Sequence, residues 1–198
     1  MADFTQTSNV LITHDEQANP ITVIGAAIAC ATWLSGQVYL WYAPIEVAAA
    51  TAIKFIIQGS GETSGNNWAD LIEFLVVHDA TVPTEAMTAT EPIAETSMAC
   101  ASTTGFAAGD WIYIRDTTTD TDGEWHRIQE VVSNTSIELI DGLEVQKDSS
   151  DVMWGYAEVF TVLLDLEGIQ RVRVLVVNEV AGPNFAFKAD LIAATDIA

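Results

Sequence analysis

Hydrophobic and polar positions alternate along most of this chain with a period of two, as in strands with one buried face. The clearest stretches are residues 38–42 (VYLWY), 53–58 (IKFIIQ), 71–77 (LIEFLVV), 111–115 (WIYIR), 125–132 (WHRIQEVV), 136–140 (SIELI), 171–177 (RVRVLVV) and 185–192 (FAFKADLI). All are short and rich in β-branched and aromatic side chains, which suit a pleated surface. Turn-forming clusters separate them: GSGETSGNN, TTGFAAGD, DTTTDTDG, SNTS and EVAGPN. The pattern predicts an all-β chain built as a sandwich or barrel. Residues 46–52 hold the one helix-like pattern, too short to be stable alone. Alternate residues share a face, so Phe55, Ile57, Leu75, Val77, Val172, Val174 and Val176 are expected to face inward or lie in interfaces. Arg171 and Arg173 share a parity with Leu175 and Val177, which makes that face partly polar. The two arginines are expected to meet acids of a neighbouring molecule.

Residues 17–45 carry no charge, which raises the question of a membrane helix. Gly25, Ser35, Gly36 and Gln37 interrupt the run, Pro20 and Pro44 bracket it, and no Lys or Arg precedes Lys54 to orient a span. Two or three buried strands with a turn at Ser35 and Gly36 fit the pattern better. The opening MADFTQTS has neither the basic nor the apolar part of a secretory leader.

Charge then divides the chain. The 28 acids and 7 bases give a net charge of −21 over 198 residues. That balance speaks against nucleic acid and anionic membranes as partners, because both need clustered Lys and Arg. Apolar residues make up 49%, enough for a packed core. Residues 80–156 carry net −11, against −7 for 1–79 and −3 for 157–198. A Thr/Ala/Pro/Glu connector at 81–97 and a polar stretch at 143–151 flank the most acidic part. These shifts predict a discontinuous, jelly-roll-like β-sandwich from 1–80 plus 157–198, with a small β-barrel domain inserted at 81–156. The insert has its own apolar residues, Phe106, Trp111, Tyr113, Ile114, Trp125, Ile128, Val131, Ile137 and Leu139. A core of that size is marginal alone. Met153, Trp154 and Tyr156 are expected to brace it against the sandwich or a symmetry mate.

Candidate chemistry is sparse. Residues 116–124 (DTTTDTDGE) offer Asp116, Asp120, Asp122 and Glu124 as oxygen ligands for calcium. The EF-hand spacing fails: with Gly123 at the sixth loop position, Thr118 falls at the first and Gln129 at the twelfth. A solvated Asp-Gly hairpin tip accounts for the run, and no metal or cofactor is expected. His14, His78 and His126 are widely separated and read as polar or strand-edge residues. Cys30 and Cys100 lie among small apolar residues and read as buried hydrophobes. The Gly-rich residues 59–65 lack the Lys of a phosphate loop, and no nucleophile motif is present, so no enzyme is expected. Of the six tryptophans, Trp33, Trp41, Trp111 and Trp125 lie among apolar neighbours. Trp68, after a loop, is the candidate for sugar stacking in the alternative reading of a carbohydrate-binding β-sandwich module.

Residues 101–116 (ASTTGFAAGDWIYIRD) and 123–144 (GEWHRIQEVVSNTSIELIDGLE) together resemble a small β-barrel module that recurs in structural proteins of tailed bacteriophages. Residues 53–74 (IKFIIQGSGETSGNNWADLIEF) and 164–192 (LDLEGIQRVRVLVVNEVAGPNFAFKADLI) resemble hairpins of virion β-sandwich proteins. The stretches that carry the resemblance make up a little under half of the chain. It implies a virion protein assembled in the host cytoplasm, most like a head decoration or cement protein. The implied partners are the major capsid protein or other virion proteins, with a homo-oligomer, most simply a trimer. A neck or tail component is the alternative, although no segment clearly matches the long hairpin that builds a tail lumen. The resemblance implies no catalytic residues.

Overall fold

In a computed structural model, the structure describes residues 6–17, 21–45, 51–78, 81–116, 123–178 and 184–195. Those residues form fourteen strands and no helix. They are β1 (Gln6–Gln17), β2 (Ile21–Ile24), β3 (Ile28–Ala29), β4 (Trp33–Ile45), β5 (Thr51–Ser60), β6 (Ala69–His78) and β7 (Thr84–Ala86). Then follow β8 (Ser97–Ala99), β9 (Trp111–Asp116), β10 (Glu124–Val132), β11 (Ser136–Leu139), β12 (Asp151–Asp165), β13 (Arg171–Asn178) and β14 (Asn184–Thr195). A nine-stranded sheet runs β1-β14-β4-β12-β9-β10-β11-β8, with β7 also on β12. A five-stranded sheet runs β2-β13-β5-β6, with β3 also on β13. All ladders are antiparallel.

The eight stretches with a clear period of two fall on strands, with Ile140 alone lying just past the end of its strand. The run at 17–45 gives three strands, but its turn falls at Ala31 and Thr32 rather than at Ser35 and Gly36, which lie inside β4. A Cβ at Gly36 would lie 3.0 Å from the terminal methyls of Leu166 and Leu191, so both side chains would have to shift to admit it. Of the helix-like residues 46–52, Thr51 and Ala52 open β5 and the rest lie outside the described residues. Among the described residues no helix is long and apolar enough to cross a membrane.

The two sheets face each other as a sandwich. Val172, Val174 and Val176 of β13 and Ile53, Phe55 and Ile57 of β5 alternate inward. They meet Val38, Leu40 and Tyr42 of β4 and Phe187, Ala189 and Leu191 of β14 in one apolar cluster. β14 inserts between β1 and β4, so the two ends of the chain are interleaved. Leu75 and Val77 do not face inward. β6 pairs Phe74 with Phe55 and Val76 with Ile53, which turns Leu75 and Val77 outward, 56% and 59% exposed. The sequence LIEFLVV is apolar on both parities, and a one-residue shift exchanges the faces of a strand.

Strands β7, β12, β9, β10, β11 and β8 are neighbours in that order, and the bridge Met87 to Cys100 closes them into a small barrel. Its interior is a second apolar cluster, including Met98, Phe106, Ile112, Ile114, Ile128, Ile137, Leu139 and Met153. Tyr113 and Trp154 belong to the sandwich cluster instead, with Trp111 and Trp125 packed against it. On β12, therefore, consecutive residues serve two cores: Met153 fills the barrel and Trp154 the seam. The ladder shifts register between Trp154 and Ala157, and Tyr156 takes a positive φ of 55° at that bulge.

Candidate functional site

The seam between barrel and sandwich is aromatic. Trp41 meets Trp111 edge-on at 5.6 Å between ring centres, Tyr113 lies 4.6 Å from Trp125, and the Trp125 Nε1–H donates to the Tyr42 carbonyl at 3.1 Å. Trp41, Trp111 and Trp125 are thus packing residues. A cleft of about 270 Å³ opens beside them, lined by Trp41, Trp125, Glu124, His126, Glu144 and Lys188 among others.

Glu124 and His126 stand two apart on β10 and share its buried face. Each Glu124 carboxylate oxygen has two donors. Oε2 accepts from His126 Nε2 at 2.9 Å and from the Glu144 amide at 2.6 Å. Oε1 accepts from the Val145 amide at 2.9 Å and lies 3.3 Å from Lys147 Nζ, which is fully buried. Burial alone would push this carboxyl up, but the His126 bond, the Glu144 amide and the Lys147 charge outweigh it and hold it below its ordinary value. With four donors its lone pairs are filled, so no acceptor capacity remains for a metal or for general-base work. Sequence reading placed Glu124 at a hairpin tip and missed this cluster. The available signal was the i, i+2 spacing of an acid and a histidine on one strand, while Lys147 arrives from a segment that reads as polar loop.

The other calcium candidates divide. Asp116 ends β9, opposite Asp151 on β12, and Asp120 and Asp122 lie outside the described residues. Among the described residues no group of three or more His, Cys, Asp or Glu side chains is placed to hold a metal. The side chains of His14 and His78 also lie outside the described residues.

The outer face of the five-stranded sheet carries the remaining candidates. Arg171 donates from Nε to the Glu62 carbonyl at 2.7 Å, and Arg173 donates from Nε to Gln58 Oε1 at 2.8 Å. Their guanidinium groups lie 4.7 and 4.1 Å from the centre of the Trp68 ring. Burial, and then the Arg171 charge, lower the pKa of Arg173. Trp68 therefore has arginines as stacking partners within its own chain, a use of this ring that competes with sugar stacking. Beyond this cluster the face is apolar: Ile24 (59% exposed), Leu75 and Val77 surround the half-buried Ile56, Leu175 and Val177. One ion pair crosses it, Lys54 to Glu73 at 3.2 Å. Of the expected bracing residues, Met153 and Trp154 are buried within the chain, while Tyr156 is 42% exposed.

Cys30 and Cys100 are both buried and free. The Cys30 Sγ–H donates to the Ile169 carbonyl at 3.5 Å, and burial pushes this thiol up to about 11. Burial, with Glu85 second, also raises Cys100. The thiolate is the reactive form, so both thiols are expected to stay silent to a colorimetric disulfide reagent at pH 8 and to react in full in denaturant. Rapid labelling of the native chain would contradict this placement.

No protein-family model matches the chain, and no curated protein matches it. Among solved structures it is similar to the T=1 particles derived from infectious bursal virus, at 13% identity and a TM-score of 0.26, covering 99% of this chain and 41% of that one. It is also similar to VP17, a capsid protein of bacteriophage P23-77, at 8% identity and a TM-score of 0.23, covering 98% and 97%. A third similarity is to the T13 particle of infectious bursal disease virus, at 10% identity and a TM-score of 0.26, covering 100% and 41%. The chain thus spans about two-fifths of the infectious bursal disease virus chains it matches. Overlaps this slight carry no argument about role, which rests on the chain's own surfaces.

Proposed function

We propose that this chain is a non-enzymatic structural protein of a tailed-bacteriophage virion: a head decoration or cement protein that binds the shell of major capsid protein and stabilises it as a homo-oligomer. One observation carries the reading. A chain of net −21 keeps one sheet face apolar, and the strands of that sheet hold three bases, Lys54, Arg171 and Arg173, against two acids, Asp70 and Glu73. A contiguous exposed apolar face marks an interaction surface. The acidic remainder keeps free copies soluble before assembly. The phage setting comes from the sequence resemblance.

In this reading the sandwich of 1–80 plus 157–198 attaches through Ile24, Leu75 and Val77, with Arg171 and Arg173 at one end of the face. The barrel of 81–156 protrudes or bridges to a neighbour, and Tyr156 is its contact. A bulky residue at positive φ is strained, and such strain persists where surrounding structure holds it, often at functional positions. Met153 and Trp154 act by fixing that bulge. The test adds purified chain to heads of the encoding phage prepared without it. Saturable binding, with a rise in the temperature at which the heads disrupt, is expected. Binding to the neck or tail alone would replace decoration with a neck or tail role, and no binding to any virion part would end the proposal.

A further inference from the structure

We infer that two copies of this chain join β6 to β6 across a two-fold axis, extending the five-stranded sheet into one continuous ten-stranded sheet. This names the partner for the assembly role and rests on that role. β6 ends its sheet, and among the described residues no strand pairs with its outer side. A free edge presents unpaired N–H and C=O groups to another chain, and proteins usually blunt it. The other edges are blunted. β1 has two register shifts, β8 has three residues, and β2 and β3 have four and two. β6 has ten residues, with no Lys, Arg or Pro among them. Its only shift against β5 leaves Leu71 as the extra residue, so residues 72–78 form a regular run with Leu75 at its midpoint.

The run is self-complementary. A two-fold axis perpendicular to the sheet makes the two strands antiparallel and sets same-face residues opposite each other. With the axis at Leu75, Leu75 faces Leu75 of the second copy, Glu73 faces Val77, and Phe74 faces Val76 on the inner side. An axis at Glu73 would set that carboxylate against its own image, which is destabilising. The local charge also permits approach. Two chains of net −21 repel in general, but this sheet carries one more base than acid along its strands. The contact replaces the simple trimer with a two-fold unit.

The test weighs the full chain by sedimentation equilibrium at physiological salt, where long-range repulsion is screened. A mass twice the 21.3 kDa of one chain is expected. Leu75→Lys, at an exposed position, should weaken the dimer at least about tenfold. Ile24→Lys, equally exposed on the same face but on β2, should leave it intact. Leu75→Cys should cross-link copies under mild oxidation, since Cys30 and Cys100 are buried. A monomer or trimer, loss of the dimer in Ile24→Lys, a dimer that survives Leu75→Lys, or no cross-link in Leu75→Cys would each overturn the inference. A monomer that still binds heads would spare the assembly role, and a dimer that binds no virion part would remove that role while sparing the contact.

Discussion

Glu124→Ala is expected to cost about 3–5 kcal/mol of folding stability, because it takes a carboxylate from beside the fully buried Lys147 ammonium and leaves the Glu144 and Val145 amides without their acceptor. Urea unfolding with linear extrapolation reads the loss. Adding Lys147→Met should recover part of it, since the buried ammonium that the carboxylate offset is then removed as well. The pH dependence has a definite sign. The folded carboxyl binds its proton more weakly than the unfolded one, whose ordinary value is 4.5. Its stabilisation is therefore complete above that value and is lost as the pH falls through the lower folded value. Glu124→Gln should flatten this acid limb. A loss below about 1 kcal/mol in Glu124→Ala, or an unchanged acid limb in Glu124→Gln, would show that the cluster does not hold the barrel end together.

The strands that sequence made legible are those with one wet face or a β-branched run: RVRVLVV alternates inward and outward in the structure as its letters do. β12 is harder to read. Its first half touches two cores, so Met153 and Trp154 are both buried and no alternation marks them. β1 reads poorly because small and polar residues fill a strand whose register shifts twice. β6 is apolar on both parities, so its inner face depends on the partner strand and not on its own letters. The outer sheet face became visible only once that register was known. Glu124 illustrates the same limit: an acid beside Asp-Gly reads as solvated until the fold brings Lys147 and two amides to it. The Arg171 and Arg173 parity was legible, but their partner Trp68 lies more than 100 residues away and can be known only from three-dimensional pairing.

Trp154→Ala and Met153→Ala should separate the two cores, although the residues are neighbours on one strand. Trp154 is 3% exposed in the seam, within 6.1 Å of the Tyr113 ring and beneath the Arg115 guanidinium at 5.2 Å. Truncating it removes a wall of the sandwich cluster and is expected to cost about 3–5 kcal/mol. Met153 is wholly buried in the barrel, where truncation is expected to cost about 2–5 kcal/mol. The location of the loss matters more than its size. If 81–156 is a unit with its own core, Met153→Ala should speed amide exchange in β8, β10 and β11 while β5 and β13 keep their protection. Trp154→Ala, acting at the shared seam, should speed exchange in both groups of strands. If Met153→Ala accelerates β5 and β13 as much as the barrel strands, the chain opens as one cooperative body and the proposed division into sandwich and insert fails. Tyr156 adds an internal check, since its strained bulge lies in the β9 ladder of β12, just before the β4 ladder begins at Glu158. Strain there is tolerated only while Trp154 and Ala157 hold the strand on either side, so Trp154→Ala should also expose the β12 amides around the bulge, ahead of those that pair with β4.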